Sequence, residues 1–157
     1  MHLTVVLLTM LVLPLASILI ERRMHGSAEL WELVCKWFLF WGAGVRLFLA
    51  GVRQIARPDL TATGMFGVTD ERAFLFVQEL GFWNLTIGLL CMVTLKRPDW
   101  RAPMGIAAML FYALAGTKHA LSAGRGFSAD VAMISDLAMA ALLLACLIAT
   151  FGRWARA

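Results

Sequence analysis

Along this chain the polar and apolar residues fall into long apolar blocks separated by short polar ones. Five blocks, 3–20, 30–52, 73–95, 103–122 and 131–151, stand out. Each is close to the ~20 residues that a helix rising 1.5 Å per residue needs to cross a ~30 Å hydrocarbon layer. The longest connection, 53–72, is too short for a soluble domain. The pattern therefore predicts an all-α integral membrane helical bundle with five spans in one domain, 1–157. The first block could also be a secretory signal, but Met-His-Leu-Thr ahead of it carries no Lys or Arg, so it is read as a retained helix, with a kink at Pro14.

The breaks between blocks have local causes. In "ARPDLTATG", Pro58 cannot continue the second helix and biases Arg57 away from helical geometry. "KRPDWRAP" and "SAGRGFSAD" make short turns, which force antiparallel neighbours.

Composition agrees with the pattern: 61% of residues are hydrophobic and only 15% charged, against roughly 25% in a typical soluble protein. The net charge of +4 reflects orientation. With the N-terminus outside and the C-terminus inside, Arg22, Arg23, Lys96, Arg97, Arg101, Arg153 and Arg156 lie on the inner side. Arg53, Arg57, Arg72 and Arg125 then lie on the outer side, a distribution that follows the excess of cations on the cytoplasmic face. No soluble basic face remains for nucleic acid; the expected partner is the lipid bilayer.

Trp31, Trp100 and Trp154 are expected at the inner interface. Trp37, Trp41 and Trp83 lie deeper, beside Phe38, Phe40 and Phe82, and read either as packing aromatics or as a pocket wall. Cys35, Cys91 and Cys146 are separate in sequence and read as small apolar residues, lacking the spacing of a redox or metal motif.

Charged residues inside spans are costly, about 2.5 to 3.5 kcal/mol each on insertion scales, so each needs a partner or a wet cavity. Glu32 and Lys36, four apart near the inner interface, suit an intrahelical pair. Arg46, Glu79, Lys118, His119 and Asp136 form a different set. Counted along four helices running in alternating directions, all fall about 5 to 9 Å below the outer end. The pairs expected are Arg46 with Glu79, and Asp136 with Lys118 or His119.

The stretch "FVQELGFWNLTIG" carries two stripes at 100° per residue: Gln78, Gly81, Asn84 and Gly88 on one, and Glu79, Phe82, Trp83 and Thr86 on the other. Small and polar residues in a stripe promote close helix contact in lipid. Two such stripes predict a central third helix. Tyr112, Gly116 and His119 share a face of the fourth span, and Arg46, Ala50 and Arg53 a face of the second, with Gly51 close by.

The polar layer has two readings, an ion-pair network that fixes helix order or a binding or proton-handling site. The site residues are Arg46, Gln78, Glu79, Asn84, Lys118, His119 and Asp136, with Trp83 and Tyr112 as pocket wall. No metal site is expected, because two cations in the same layer compete for the carboxylates and that layer holds only one His, His119. Covalent catalysis is not expected either: Ser135, adjacent to Asp136, is placed about 100° away from it on the helix.

"GVRLFLAGVRQIARP", with Gly51, Gln54 and Pro58, followed by "ELGFWNLTIGLL", with Glu79 and Gly88, resembles the DoxX-like group of small bacterial four-helix membrane proteins over residues 42–95. Against that group the chain has four core helices plus an extra N-terminal helix. The resemblance implies a bacterial inner-membrane protein, a redox or quinone connection, and Glu79 as the group's acidic position. It transfers no catalytic residue.

Three functions compete. The first is a membrane subunit or binder of a quinone- or lipid-like molecule, with Arg46 and Lys118 orienting oxygens and His119 exchanging protons. The second is a proton-coupled small transporter, against which stands the lack of inverted repeats. The third is a structural accessory subunit of a larger membrane complex or a homo-oligomer.

Overall fold

The computed structural model describes residues 2–24, 29–123 and 126–154, with backbone alone for His2 and 151–154. Arg125 and Arg156, counted above for orientation, lie outside the described residues, as do the side chains of Arg153 and Trp154. Almost every described residue is helical and none is in a strand. The helices are α1 (Leu3–Met24), α2 (Leu30–Ala56), α3 (Pro58–Phe66), α4 (Arg72–Val93), α5 (Arg101–Leu121) and α6 (Phe127–Trp154). All except α3 are long and apolar enough to cross a membrane, so the chain is a multi-pass membrane bundle. The start of α1, the end of α2, α3, the start of α4, the end of α5 and the start of α6 share one end of it, the upper end.

The short helix α3 occupies a connection that the sequence suggested only as a break. Arg57 leaves helical geometry at φ −141°, ψ 66°, and Pro58 then starts a new helix at its first position. Proline suits that position because its missing N–H would have no partner there and its φ is already helical. Gly67 ends α3 in the left-handed region at φ 65°, where a side chain would be strained.

Residues 38–45 of α2 and 8–12 of α1 are π-helical. The wide turn in α1 directly precedes Pro14, expected to kink the helix, and the Leu13 N–H reaches back to the Leu8 carbonyl. Such turns accommodate a missing hydrogen bond within a helix and free carbonyls for other donors.

The core draws Leu39, Ala43 and Leu47 from α2, Ile87 and Cys91 from α4, Ala108 and Tyr112 from α5, and Met139, Ala140 and Leu143 from α6. Helix α2 is the hub, touching α1, α4, α5 and α6. The expected central position of the third span, α4, is corrected accordingly, because only one of its two stripes meets protein over its length.

That stripe forms a glycine seam with α2. A Cβ on Gly51 would sit 2.6 Å from the Gly81 carbonyl oxygen, and one on Gly88 2.5 Å from the Phe48 nitrogen. Only glycine allows the two backbones this close. Beside the seam, Gln78 Nε2 donates to the Ile55 carbonyl at 3.2 Å and Asn84 Nδ2 to Gln54 Oε1 at 2.8 Å. The second stripe faces outward: Glu79 and Thr86 are exposed, and Phe82 and Trp83 are each 55% exposed.

At the lower end Lys36 Nζ bonds Glu21 Oε1 of α1 at 2.6 Å, correcting the expected Glu32–Lys36 pair. The carboxylate of Glu21 also accepts from Trp37 Nε1 at 2.7 Å, and Trp41 Nε1 donates to Ser17 Oγ at 3.0 Å. An intrahelical pair satisfies one helix alone, whereas this arrangement ties α2 to α1. The thiols of Cys35 and Cys146, separate in sequence, lie near each other across α2 and α6 as free cysteines.

Candidate functional site

Near the upper end, Arg46 turns inward from α2 and is buried. Its Nη2 donates to Asp136 Oδ1 and to Ser135 Oγ, both at 2.7 Å, while Nη1 approaches Met10 Sδ at 3.5 Å. The guanidinium carbon lies 5.1 Å from the centre of the Tyr112 ring. Its carboxylate, hydroxyl and aromatic partners come from α6 and α5, so one side chain joins three helices. The ring is fixed in turn by its hydroxyl, which donates to the Gly42 carbonyl at 2.8 Å, within the π-helical stretch of α2.

Both expected ion pairs are therefore corrected. Arg46 does not pair with Glu79, because the glycine seam turns Glu79 to the outside of α4. Asp136 takes Arg46 rather than Lys118 or His119. Lys118 is exposed, its Nζ 4.2 Å from the centre of the Phe66 ring in α3, while His119 is buried. Ser135, set aside on angular grounds, is a direct partner of Arg46 and donates to the Ala132 carbonyl at 3.0 Å. A guanidinium is wide enough to span two adjacent positions of one helix.

Beside this network opens a cavity of about 590 Å³, inside the roughly 300–1,000 Å³ range of small-molecule sites. Arg46, Asn84, Tyr112, Lys118, His119 and Asp136 line it, together with Arg53, Gln54 and Thr61. Most of the remaining wall is apolar, from Val5 and Val6 of α1, Leu60, Met65 and Phe66 of α3, Leu80 of α4 and Phe111 of α5. Helix α3 supplies the roof. Of the residues proposed from sequence, Glu79, Gln78 and Trp83 do not line the cavity, because α4 presents Leu80 and Asn84 to it instead.

Two polar atoms of the lining lack any hydrogen-bond partner: Arg53 Nε and Asn84 Oδ1. Asn84 is only 4% exposed. A buried polar atom without a partner costs about 1–3 kcal/mol, so a group that reached either atom through a small side-chain shift would recover that cost. Both residues line the same cavity, and Asn84 bonds Gln54, the residue after Arg53.

The cavity is asymmetric in charge. Arg46 is neutralised by Asp136 at 2.7 Å, whereas among the described residues no carboxylate lies within ion-pair distance of Arg53 or Lys118. At the start of the roof, Arg57 Nε and Nη2 donate to the Asp59 carboxylate at 3.1 and 3.0 Å. These bonds hold the Asp59 carboxyl below its ordinary range.

The roof, Ser135 and the role of Arg53 are the parts that sequence reasoning missed. The signal for the roof was Pro58 at a helix start with Gly67 nine residues later. Arg53 shares a helix face with Arg46 and Ala50, which was the signal for it; no local signal points to Ser135.

No curated protein and no solved structure matches this chain. The model of the family of unknown function DUF6790 matches residues 1–155, and the chain belongs to that family.

Proposed function

We propose that this membrane bundle binds an amphiphilic, quinone- or lipid-like molecule in the upper cavity, with the molecule's polar head among Arg46, Arg53, Asn84 and Lys118. The observation that carries the reading is a chamber of about 590 Å³ whose wall joins a large apolar surface to a polar, cationic one, with unpartnered atoms at Arg53 Nε and Asn84 Oδ1. An ion-pair network alone has no need of the chamber, and two of the four unpartnered buried atoms among the described residues belong to residues of its wall. The resemblance of residues 42–95 to the DoxX-like group makes a quinone one amphiphile to try. On the orientation read from the basic residues, with the N-terminus outside, the cavity belongs to the outer leaflet of a bacterial inner membrane.

The test is to purify the full chain in a mild detergent, extract it and identify retained amphiphiles by mass spectrometry, beside Ala115→Trp. Ala115 lines the cavity and is half-buried, so an indole there fills the chamber from its wall. The expected result is an amphiphile retained by the parent and lost from Ala115→Trp at unchanged helicity. Equal retention by both chains overturns the reading. Proton-coupled uptake in liposomes without any retained molecule favours a transporter instead.

A further inference from the structure

We infer that the polar head bound in this cavity is an acidic phospholipid headgroup bearing a hydroxyl, of the phosphatidylglycerol kind. The inference rests on the amphiphile-binding reading above and adds the charge and chemistry of the head.

Charge is the first argument. The cavity is lined by Arg46, Arg53, Lys118 and Asp136, apart from His119. One cation is cancelled by the Arg46–Asp136 bond, so Arg53 and Lys118 leave an excess of two positive charges at the wall. In a low-dielectric surrounding that excess favours an anion and penalises a neutral or cationic head. A quinone, being neutral, leaves it uncancelled.

Hydrogen-bond demand is the second argument. Arg53 Nε can only donate, so the group that satisfies it must accept, as a phosphate oxygen does. The amide of Asn84 has its other end on Gln54. Its free end is an acceptor as assigned and a donor if both amides are turned over. A hydroxyl, which donates and accepts, satisfies either orientation. Arg53 and Asn84, on the wall of one cavity, thus ask for an anion that also bears a hydroxyl, the combination in a glycerol phosphodiester. The apolar wall of α3 and α4 beside them suits the chains of the same molecule.

The experiment uses the full chain in nanodiscs of phosphatidylcholine or in nonionic detergent. The probes are phosphatidylglycerol, phosphatidylcholine with the same chains, a long-chain quinone and inorganic phosphate, read by native mass spectrometry and ligand-induced thermal shift. Phosphatidylglycerol is expected to bind about tenfold or more tighter than phosphatidylcholine, the worth of one charge-assisted bond. Arg53→Gln with Lys118→Gln should weaken phosphatidylglycerol binding by about tenfold or more and abolish its preference over phosphatidylcholine. Both residues lie at least partly exposed, so folding is expected to survive, and Arg53→Lys should restore part of the preference. Equal binding of the two lipids, blocked by Ala115→Trp, overturns the headgroup inference while the cavity reading stands. Quinone binding that ignores Arg53→Gln and Lys118→Gln does the same. Competition by millimolar inorganic phosphate that fully replaces the lipid shift shows a free-anion site and overturns the lipid source. No binding of any probe overturns both readings.

Discussion

At the lower end, Lys36 and Glu21 meet at 2.6 Å with side chains 21% and 22% exposed; near the upper end, Arg46 and Asp136 meet at 2.7 Å with side chains 9% and 10% exposed. Both pairs join α2 to another span. The lower one lies where a lysine can extend its ammonium toward headgroups and water, and its carboxylate is shared with the Trp37 indole. The upper one is held by Ser135 and the Tyr112 ring and borders a cavity whose wall retains unpartnered polar atoms. Ionic closure of two helices therefore looks alike in distance at both ends, and the surroundings set its consequence. The lower pair also lines a cavity, of about 380 Å³, but there Glu21, Lys36 and Trp37 bond one another, whereas the wall of the upper cavity includes two residues with unpartnered polar atoms, Arg53 and Asn84.

The comparison breaks most visibly at Asp136. Asp136→Ala leaves the buried Arg46 cation with the Ser135 hydroxyl and the Tyr112 ring but no counter-charge, and the loss of one partner of a buried pair costs about 3–5 kcal/mol. The expected outcome is a thermal midpoint in detergent lowered by many degrees, or failure to accumulate. Replacing both partners, Arg46→Met with Asp136→Leu, should recover most of the loss, because a buried pair exchanged for apolar side chains is often near neutral. If Asp136→Ala melts with the parent, the upper pair contributes no more than a surface bridge.

The positions of these groups were legible in the sequence and their partners were not. Crossing a membrane ties depth to residue count, so Arg46, His119 and Asp136 could be assigned to one layer from spacing alone. Partner choice depends on helix order and rotation. An apolar residue suits lipid and protein equally, so Phe82 and Trp83 gave no sign that their stripe, with Glu79, faces outward. The stripe of Gln78, Gly81, Asn84 and Gly88 was legible because glycine in lipid has little use except close backbone approach. Helix α3 was hidden because a proline that stops one helix is equally suited to start the next.

A smaller effect is expected at the lower pair. Glu21→Ala removes the partner of Lys36, but the ammonium is already a fifth exposed and can turn to water or a lipid phosphate. The expected cost is about 1 kcal/mol or less, as for other solvent-screened pairs. Tryptophan fluorescence should change more than stability, since Trp37 Nε1 loses its acceptor. A loss as large as that of Asp136→Ala would remove the distinction between the two ends.

The smallest effect belongs to a third pair, Arg57 and Asp59, whose side chains are 64% and 38% exposed at the start of the cavity roof. The hydrogen bonds from Arg57 lower the Asp59 pKa, so whatever this pair adds to the roof is fully present above the ordinary aspartate value of about 3.9. It is lost only as pH falls through the lowered value in the folded chain. Between pH 8 and 5 the pair therefore leaves α3 unchanged, and its carboxylate also suits the first turn of that helix. A carbon-detected NMR titration of Asp59 should give a midpoint below the ordinary value, and Arg57→Gln should raise it. A midpoint at or above the ordinary value in the parent chain means that the pair does not persist in solution. The roof is then held by the Lys118 ammonium over the Phe66 ring and by the cavity wall, and the Asp59 carboxylate acts on it only through the first turn of α3.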